Sequence, residues 1–389
     1  MGEDTTTAAV RKIMLGFAEQ TGLSSAAHSR RRYLWTDAHA VCNFLSLYRR
    51  TGDDHYQDLA MQLIDQVHNV LGRHRDDDPR SGWISGLGEN EGRNHPTAGG
   101  LRIGKKHNER GLDDPLDERL EWDRDGQYFH YLTKWMHALY RASIVAGEAR
   151  YCRWSRELAQ AAHAGFTAQH PISGDKRLLW KMSIDLTRAL VPSSGLHDPL
   201  DGYITYHELG RCASQYRGHT DLPSLDAEIA DTAAMIVGQR WATDDPLGIG
   251  GLLFDACRAT QLTAAGQLED SVLASELLSA VKESLSVFAG QRSLHRPAEY
   301  RLAFRELGLS IGLRGVATMR RIVDSNSKLF PNSVQRNLEE LSKHVRLGEA
   351  IEDYWRKPSN QQATTWLEHR DISAVMLATS LLPDDFLAL

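Results

Sequence analysis

The chain is poor in the features that would assign it at once. It has four cysteines in 389 residues, Cys42, Cys152, Cys212 and Cys257, and no CxxC pair. That spacing excludes a zinc knuckle or a thioredoxin-type centre, and the four read as reduced, buried thiols, one per helix. No apolar run approaches the ~20 residues that a membrane-spanning helix needs. The N-terminus, Met1-Gly-Glu-Asp-Thr-Thr, lacks the basic and apolar regions of a secretory leader. These absences predict a soluble, cytoplasmic protein with no membrane partner. Basic clusters are equally scarce. Arg30-Arg-Arg32 is short and the net charge is -6, so nucleic acid is not an expected partner. HExxH and GxSxG are missing, and the 17 histidines fall into no metal spacing, so neither a metal nor a cofactor is expected. Alternating β-branched runs are also lacking, which leaves room only for short strands inside loops, near Trp83 and Leu101.

What remains is helical, and the helices are of two kinds. Tyr56 to Leu71 carries Tyr56, Ala60, Leu63, Val67 and Val70 at helical spacing, with polar residues between them. Segments 153–166, 225–240, 270–288 and 333–345 follow the same one-sided rule and predict outer helices with one wet face. Segments 38–48, 248–257, 302–313 and 372–382 are apolar around more of their circumference and rich in small residues. Such helices are surrounded by other elements, and small residues let them approach closely. Links within a pair are short, Thr51-Gly-Asp-Asp and Ala146-Gly-Glu, which predicts antiparallel hairpins.

Six charged or aromatic knots punctuate this alternation. They begin at Trp35, Trp122, His197, Asp244, His295 and Trp366, and each leads into an inner helix. Sixfold alternation predicts an all-α, closed (α/α)6 barrel with its long loops at one mouth. The reading is a single domain over 1–389, with 1–28 as an N-terminal segment and 75–123 as a long mouth loop or lid.

In architecture the chain resembles the six-hairpin (α/α)6 barrels, which include N-acylglucosamine 2-epimerase-like sugar isomerases and many glycoside hydrolases. The segment from Arg32-Tyr-Leu-Trp35 through Tyr48-Arg-Arg-Thr-Gly-Asp53 to Tyr56 and Ala60 looks like the first hairpin of the epimerase-like proteins. Where those enzymes tend to place an Arg on the first inner helix, this chain has Asp37 and His39. The resemblance implies carbohydrate chemistry at the mouth.

The knots supply the candidate residues. Trp122-Asp-Arg-Asp125-Gly-Gln127-Tyr128-Phe-His130 enters a helix. Asp125 fits either an N-cap or first-turn acid or, with Gln127, an acceptor for substrate hydroxyls, with Trp122 or Tyr128 stacking on a sugar ring. Gly99 to Lys106 nearly matches a phosphate loop, but Lys106 stands where a hydroxyl is needed and no strand precedes it. A basic, Gly-rich segment that meets an anionic substrate group fits better. At the fifth knot, Pro297 suits a first helical turn, and Arg301 and Arg305 would share one helix face. They imply either an internal ion-pair network with Glu299, Glu306 or Asp371 or an anion clamp. Trp366-Leu-Glu368-His369-Arg370-Asp371 packs four ionisable groups before the last inner helix.

The favoured reading is an isomerase- or epimerase-like enzyme. His369 or His295 acts as the base beside a carbonyl, with Asp125 and Glu368 as further catalytic groups. Substrate is held by Trp35, Asp37, His39, Trp122, Gln127, Tyr128, His130, Arg301, Trp366 and Arg370. A glycosidase using two of Asp37, Asp125, Glu299 and Glu368 is the alternative. A non-sugar cyclase or lyase and a non-catalytic binding protein share the same fold-level support. The expected partner is a small sugar-like molecule, neutral or anionic, and homo-oligomerisation stays open.

Overall fold

A computed structural model describes residues 4–25, 30–216, 222–269, 271–291 and 293–389. Residues 26–28 of the expected N-terminal segment, together with 1–3 and Asp270 of the expected 270–288 helix, lie outside the described residues.

The helices are α1 (Thr5–Gln20), α2 (Leu34–Thr51), α3 (Asp54–Leu71), α4 (Glu89–Asn94), α5 (Glu118–Glu121), α6 (Phe129–Ala146), α7 (Ala149–Phe166), α8 (Asp198–Gln215), α9 (Asp226–Ile236), α10 (Pro246–Ala264), α11 (Ser271–Gly290), α12 (Ala303–Ser325), α13 (Asn332–Ser342), α14 (Val345–Trp355), α15 (Thr364–Glu368), α16 (Arg370–Leu381) and α17 (Asp384–Leu387). The two-kind sorting holds. Most of α6 is buried, including His137, Arg141 and Lys134, whereas α3 and α7 keep a wet side. Helix starts follow capping chemistry: Asp53 accepts from the His55 N–H at α3, and Asp245 accepts from the Gly248 N–H at α10, with Pro246 in the first turn. Gly147 takes the left-handed conformation (φ 70°) that ends α6, and two residues later α7 begins.

The chain divides into two compact units: Met1–Phe17, Ser46–Gly52 and Gly238–Leu389 form one, and Ala18–Leu45 with Asp53–Val237 form the other. In the first, α10 and α12 meet at glycines. A Cβ on Gly250 would stand 2.1 Å from the Gly308 carbonyl oxygen, and one on Gly312 would stand 2.7 Å from the Gly250 carbonyl oxygen. Only glycine permits backbones this close. The expected 333–345 helix is instead two, α13 and α14, with the break at Lys343 and His344.

The second unit holds α3, α6, α7, α8, α9 and all the strands: β1 (Gln127–Tyr128), β2 (Thr167–Gln169), β3 (Lys176–Leu178), β4 (Lys181–Met182) and β5 (Ala189–Val191). They form an antiparallel β1-β4-β5 sheet and a β2-β3 hairpin. The strands expected near Trp83 and Leu101 are not there; Trp83 makes one isolated bridge to Arg73. One expectation is overturned outright. Cys152 on α7 and Cys212 on α8 are disulfide-bonded, with Cα atoms 5.9 Å apart. Cys42 and Cys257 are free and buried. The pair is 60 residues apart in sequence, so spacing carried no sign of it; the packing of α7 on α8 brings the two together.

Among the described residues no helix is long and apolar enough to cross a membrane, and no three His, Cys, Asp or Glu side chains gather as a metal site.

Candidate active site

The second unit contains a connected series of aromatic rings that the sequence scatters between Trp35 and Trp180. Trp35 lies 5.3 Å from Tyr131 and 6.1 Å from His130, centroid to centroid. Tyr131 continues to Tyr128 at 5.1 Å, Tyr128 to Trp180 at 5.0 Å, and Trp180 to Trp122 at 5.1 Å. The series runs from buried Trp35 to Trp122, which is 53% exposed. The hydroxyls of Tyr33 and Tyr131 are hydrogen-bonded at 2.8 Å, and burial pushes the Tyr33 phenol up to about 12. Tyr131, Trp180 and Trp122 keep part of their rings uncovered, and such rings offer flat faces to a ring-shaped ligand.

Beneath the rings sits an ionisable cluster built by two helix starts. Phe129 opens α6, which places His130, Thr133 and Lys134 on one side of its first turns, and Asp198-Pro199 opens α8, which places Asp198 and Asp201 one turn apart. Nδ1 of His130 lies 3.7 Å from Oδ1 of Asp198. Lys134 Nζ donates to Oδ2 of Asp201 at 2.7 Å, and the Thr133 hydroxyl donates to the same oxygen. Oδ2 of Asp198 is buried and has no hydrogen-bond partner among the described residues. A Cβ on Gly195 would stand 2.2 Å from that oxygen, so a glycine is what allows the loop to close over it.

These environments drive the pKa values apart. Burial pushes the Asp198 carboxyl up to about 8, reinforced by the charge on Asp201 and opposed by Lys134. Burial pulls the His130 imidazole down to about 4, helped by Lys134. At neutral pH Asp198 therefore holds its proton and His130 is uncharged. His39, 5.3 Å from Trp35, is pulled down to about 3 by burial, then by Lys134 and His137.

Other predicted residues serve the scaffold. Helix α6 begins at Phe129, so Asp125 is not its cap, contrary to the first-turn reading. Asp125 is fully buried and accepts from Arg75, Arg102 and the backbone N–H groups of Gly104 and Gly126. Gln127 spends its amide on backbone, accepting from Leu101 N–H and donating to Gly99 and Ile184 carbonyls. Asp37 accepts from the Tyr33 N–H and from Arg32 at the start of α2. The 75–123 segment is stapled by arginines: Arg80 binds Asp78, Glu109 and Asp185, and Arg110 binds Glu121 and the Leu190 carbonyl.

In the other unit, Arg301 is not helical, so it shares no helix face with Arg305; it precedes α12 in extended backbone. It is buried and pairs with both carboxylate oxygens of Glu306 at 2.7 and 2.9 Å. Trp355 Nε1 donates to the same carboxylate at 2.7 Å, and Trp366 stacks on Trp355 at 5.7 Å. Pro297 precedes a short 3-10 turn, not α12. His295, Glu368, His369 and Arg370 are exposed, with His369 edge-on to Phe304 at 5.2 Å.

Sequence reasoning named Trp35, His39, Trp122, Tyr128 and His130 of this site but passed over Tyr33, Tyr131, Lys134, Trp180, Asp198 and Asp201. The His197 knot was the available signal, since its two aspartates stand three apart at a Pro-marked helix start.

No family model and no curated protein matches the chain by sequence. Solved structures are similar to it in fold. A GH76 α-mannanase from Bacteroides thetaiotaomicron aligns over 99% of this chain and 98% of its own, with 10% identity and a TM-score of 0.55. This likeness is one of fold: the chain is an all-α protein of the (α/α)6-barrel class. A sugar epimerase from a ruminal bacterium aligns over 97% and 98% of the two chains at 9% identity and a TM-score of 0.47. A cellobiose 2-epimerase from Bacillus thermoamylovorans covers 89% and 88% at 9% identity and 0.41.

Proposed function

We propose that the protein is a carbohydrate-active enzyme of the isomerase or epimerase kind, with His130 and Asp198 as its proton-transfer pair. One observation carries this reading: a neutral acid and a neutral base stand 3.7 Å apart beside a run of exposed-to-buried aromatic rings. Two groups whose environments push them to opposite sides of neutrality are suited to acid–base work in both directions. His130 takes a proton from the carbon next to a sugar carbonyl. Asp198 donates to the carbonyl oxygen, which gives an enediol; His130 then delivers its proton to the former carbonyl carbon while Asp198 takes one back from the neighbouring hydroxyl, and aldose and ketose are interchanged. The part-exposed rings of Tyr131 and Trp180 stack on the sugar, and Lys134 holds Asp201 in place.

A second reading has its own support. Asp198 is a carboxyl that keeps its proton and Asp201 is one paired with Lys134, one helical turn apart, and a glycosidase divides its work between two carboxyl groups; the mannanase likeness in fold is compatible with it. Against it, Asp201 is already engaged by Lys134 and Thr133, which blunts it as nucleophile or base. The test is to incubate the protein with aldoses and disaccharides in D2O. Deuterium at the carbon next to the carbonyl, lost in Asp198→Asn and His130→Asn, supports proton transfer. Release of new reducing ends from an α-mannan without deuterium incorporation overturns it in favour of hydrolysis.

A further inference from the structure

The second unit holds a cavity of about 570 Å3. None of its lining residues belongs to the aromatic series or to the Asp198 cluster. Its walls are Trp83 and Trp154, and its floor is His68 of α3. The guanidiniums of Arg93, Arg150 and Arg153 line it together with one carboxylate, Asp65; at the rim Arg93 pairs with Glu89 at 2.9 Å and Arg150 with Glu148 at 2.7 Å. Burial raises the Asp65 carboxyl above its usual value.

His68 gives the cavity a directed donor. It is 3% exposed and set edge-on to Trp154 at 5.0 Å and to Trp135 at 5.7 Å. Trp135 Nε1 donates to His68 Nε2 at 3.1 Å. An indole N–H is only a donor, so Nε2 must be the bare nitrogen and Nδ1 carries the proton. Burial, with Arg150 nearby, pulls the imidazole down to about 3 and holds it in that neutral state. No described residue accepts from Nδ1. The walls are held rigid: Trp154 Nε1 donates to the Asn94 carbonyl at 2.7 Å, and Arg73 lies 4.1 Å over the Trp83 ring. A Cβ on Gly92 would collide with the Trp83 indole at 2.2 Å, so glycine there lets α4 sit against the ring. Guanidiniums match carboxylate and phosphate geometry.

We propose that this cavity is a binding site for a small anionic sugar, one bearing a carboxylate or a phosphate. The anion meets Arg93, Arg150 and Arg153, and His68 Nδ1–H donates to a sugar hydroxyl or to the anion. The site goes beyond the proposed reaction and is separate from it.

Calorimetric titration tests it with glucuronate, glucose 6-phosphate and neutral glucose as probes, on the full chain. At least one of the two anions is expected to bind with a Kd below about 1 mM, and glucose at least about tenfold more weakly. The anion that binds identifies the source of the charge. Arg93→Gln, on the exposed face of α4, and Arg153→Gln should each weaken binding severalfold with an unchanged melting temperature. Asp198→Asn should leave it unaltered. The proposal is overturned if neither anion binds, if glucose binds equally well, if both arginine variants bind as the parent does, or if Asp198→Asn removes binding. That last result would move the ligand to the aromatic cluster.

Discussion

Two of the charged knots reach opposite outcomes in the fold. The knot at Arg301 closes on itself: both oxygens of Glu306 are taken by Arg301, Trp355 adds a third donor, and Trp366 stacks over the group. The knot at His197 does not close. Asp201 is answered by Lys134 and Thr133, but Asp198 is buried beside a carboxylate and an uncharged imidazole, and its Oδ2 meets no described partner. The residue types are alike. What differs is whether the neighbourhood supplies a counter-charge, and where it does not, the carboxyl keeps its proton into neutral pH. A saturated ion pair contributes to the fold, whereas a retained proton can be given away.

The largest expected effect breaks the open knot. Asp198→Asn should lower activity by roughly 10²–10⁴-fold, as for loss of a general acid. It should also raise stability at pH 7. The folded carboxyl, near 8, is raised above its unfolded value of 3.8. Folding is therefore penalised once the pH exceeds about 4, and the penalty grows until about 8. Denaturant melts from pH 4 to 9 should show the parent losing stability across that window and the variant not doing so. A variant that is inactive and less stable at pH 7 would assign Asp198 to the fold.

Breaking the closed knot should do the reverse. Arg301→Gln leaves Glu306 buried without its cation, a loss of about 3–5 kcal/mol. Melting should fall markedly while the specific activity of the folded fraction holds. Next comes the covalent tie in the unit that carries the site. The double substitution Cys152→Ser, Cys212→Ser, or reduction, should cost about 2–4 kcal/mol, read by denaturant melts with and without reductant. The smallest effect sharpens the contrast at the other end of the chain. His369→Ala, at an exposed position, should change stability by less than ~0.5 kcal/mol and activity by less than about threefold. A loss comparable to that of Asp198→Asn would relocate the chemistry to the Trp366 knot.

Much of the fold was legible in the residues. The 3.6-residue period of α3, the short Ala146-Gly-Glu turn and the small residues of α10 and α12 each specify a local outcome that burial then ratifies. The site was legible in part. Trp35, Tyr128 and His130 stood out because aromatic and ionisable residues clustered at a helix start. Asp198 and Asp201 read as ordinary first-turn acids, because a sequence shows a carboxylate without showing what faces it. Tyr131 and Lys134 lay in the aromatic-rich helix start itself but were not singled out, Trp180 lay outside it, and α6 packing on α8 and the strands brought them together.

By itself, then, the sequence determined most of the helices and the short turns between them, since period, caps and turn residues act over a few positions. The tertiary structure alone decided which knot is neutralised and which keeps a proton, which cysteines join, and which arginines gather around the His68 cavity. Most of those outcomes depend on distances of a few ångströms between residues tens of positions apart. Coulombic and desolvation energies change steeply over that range, and local sequence carries no information about it.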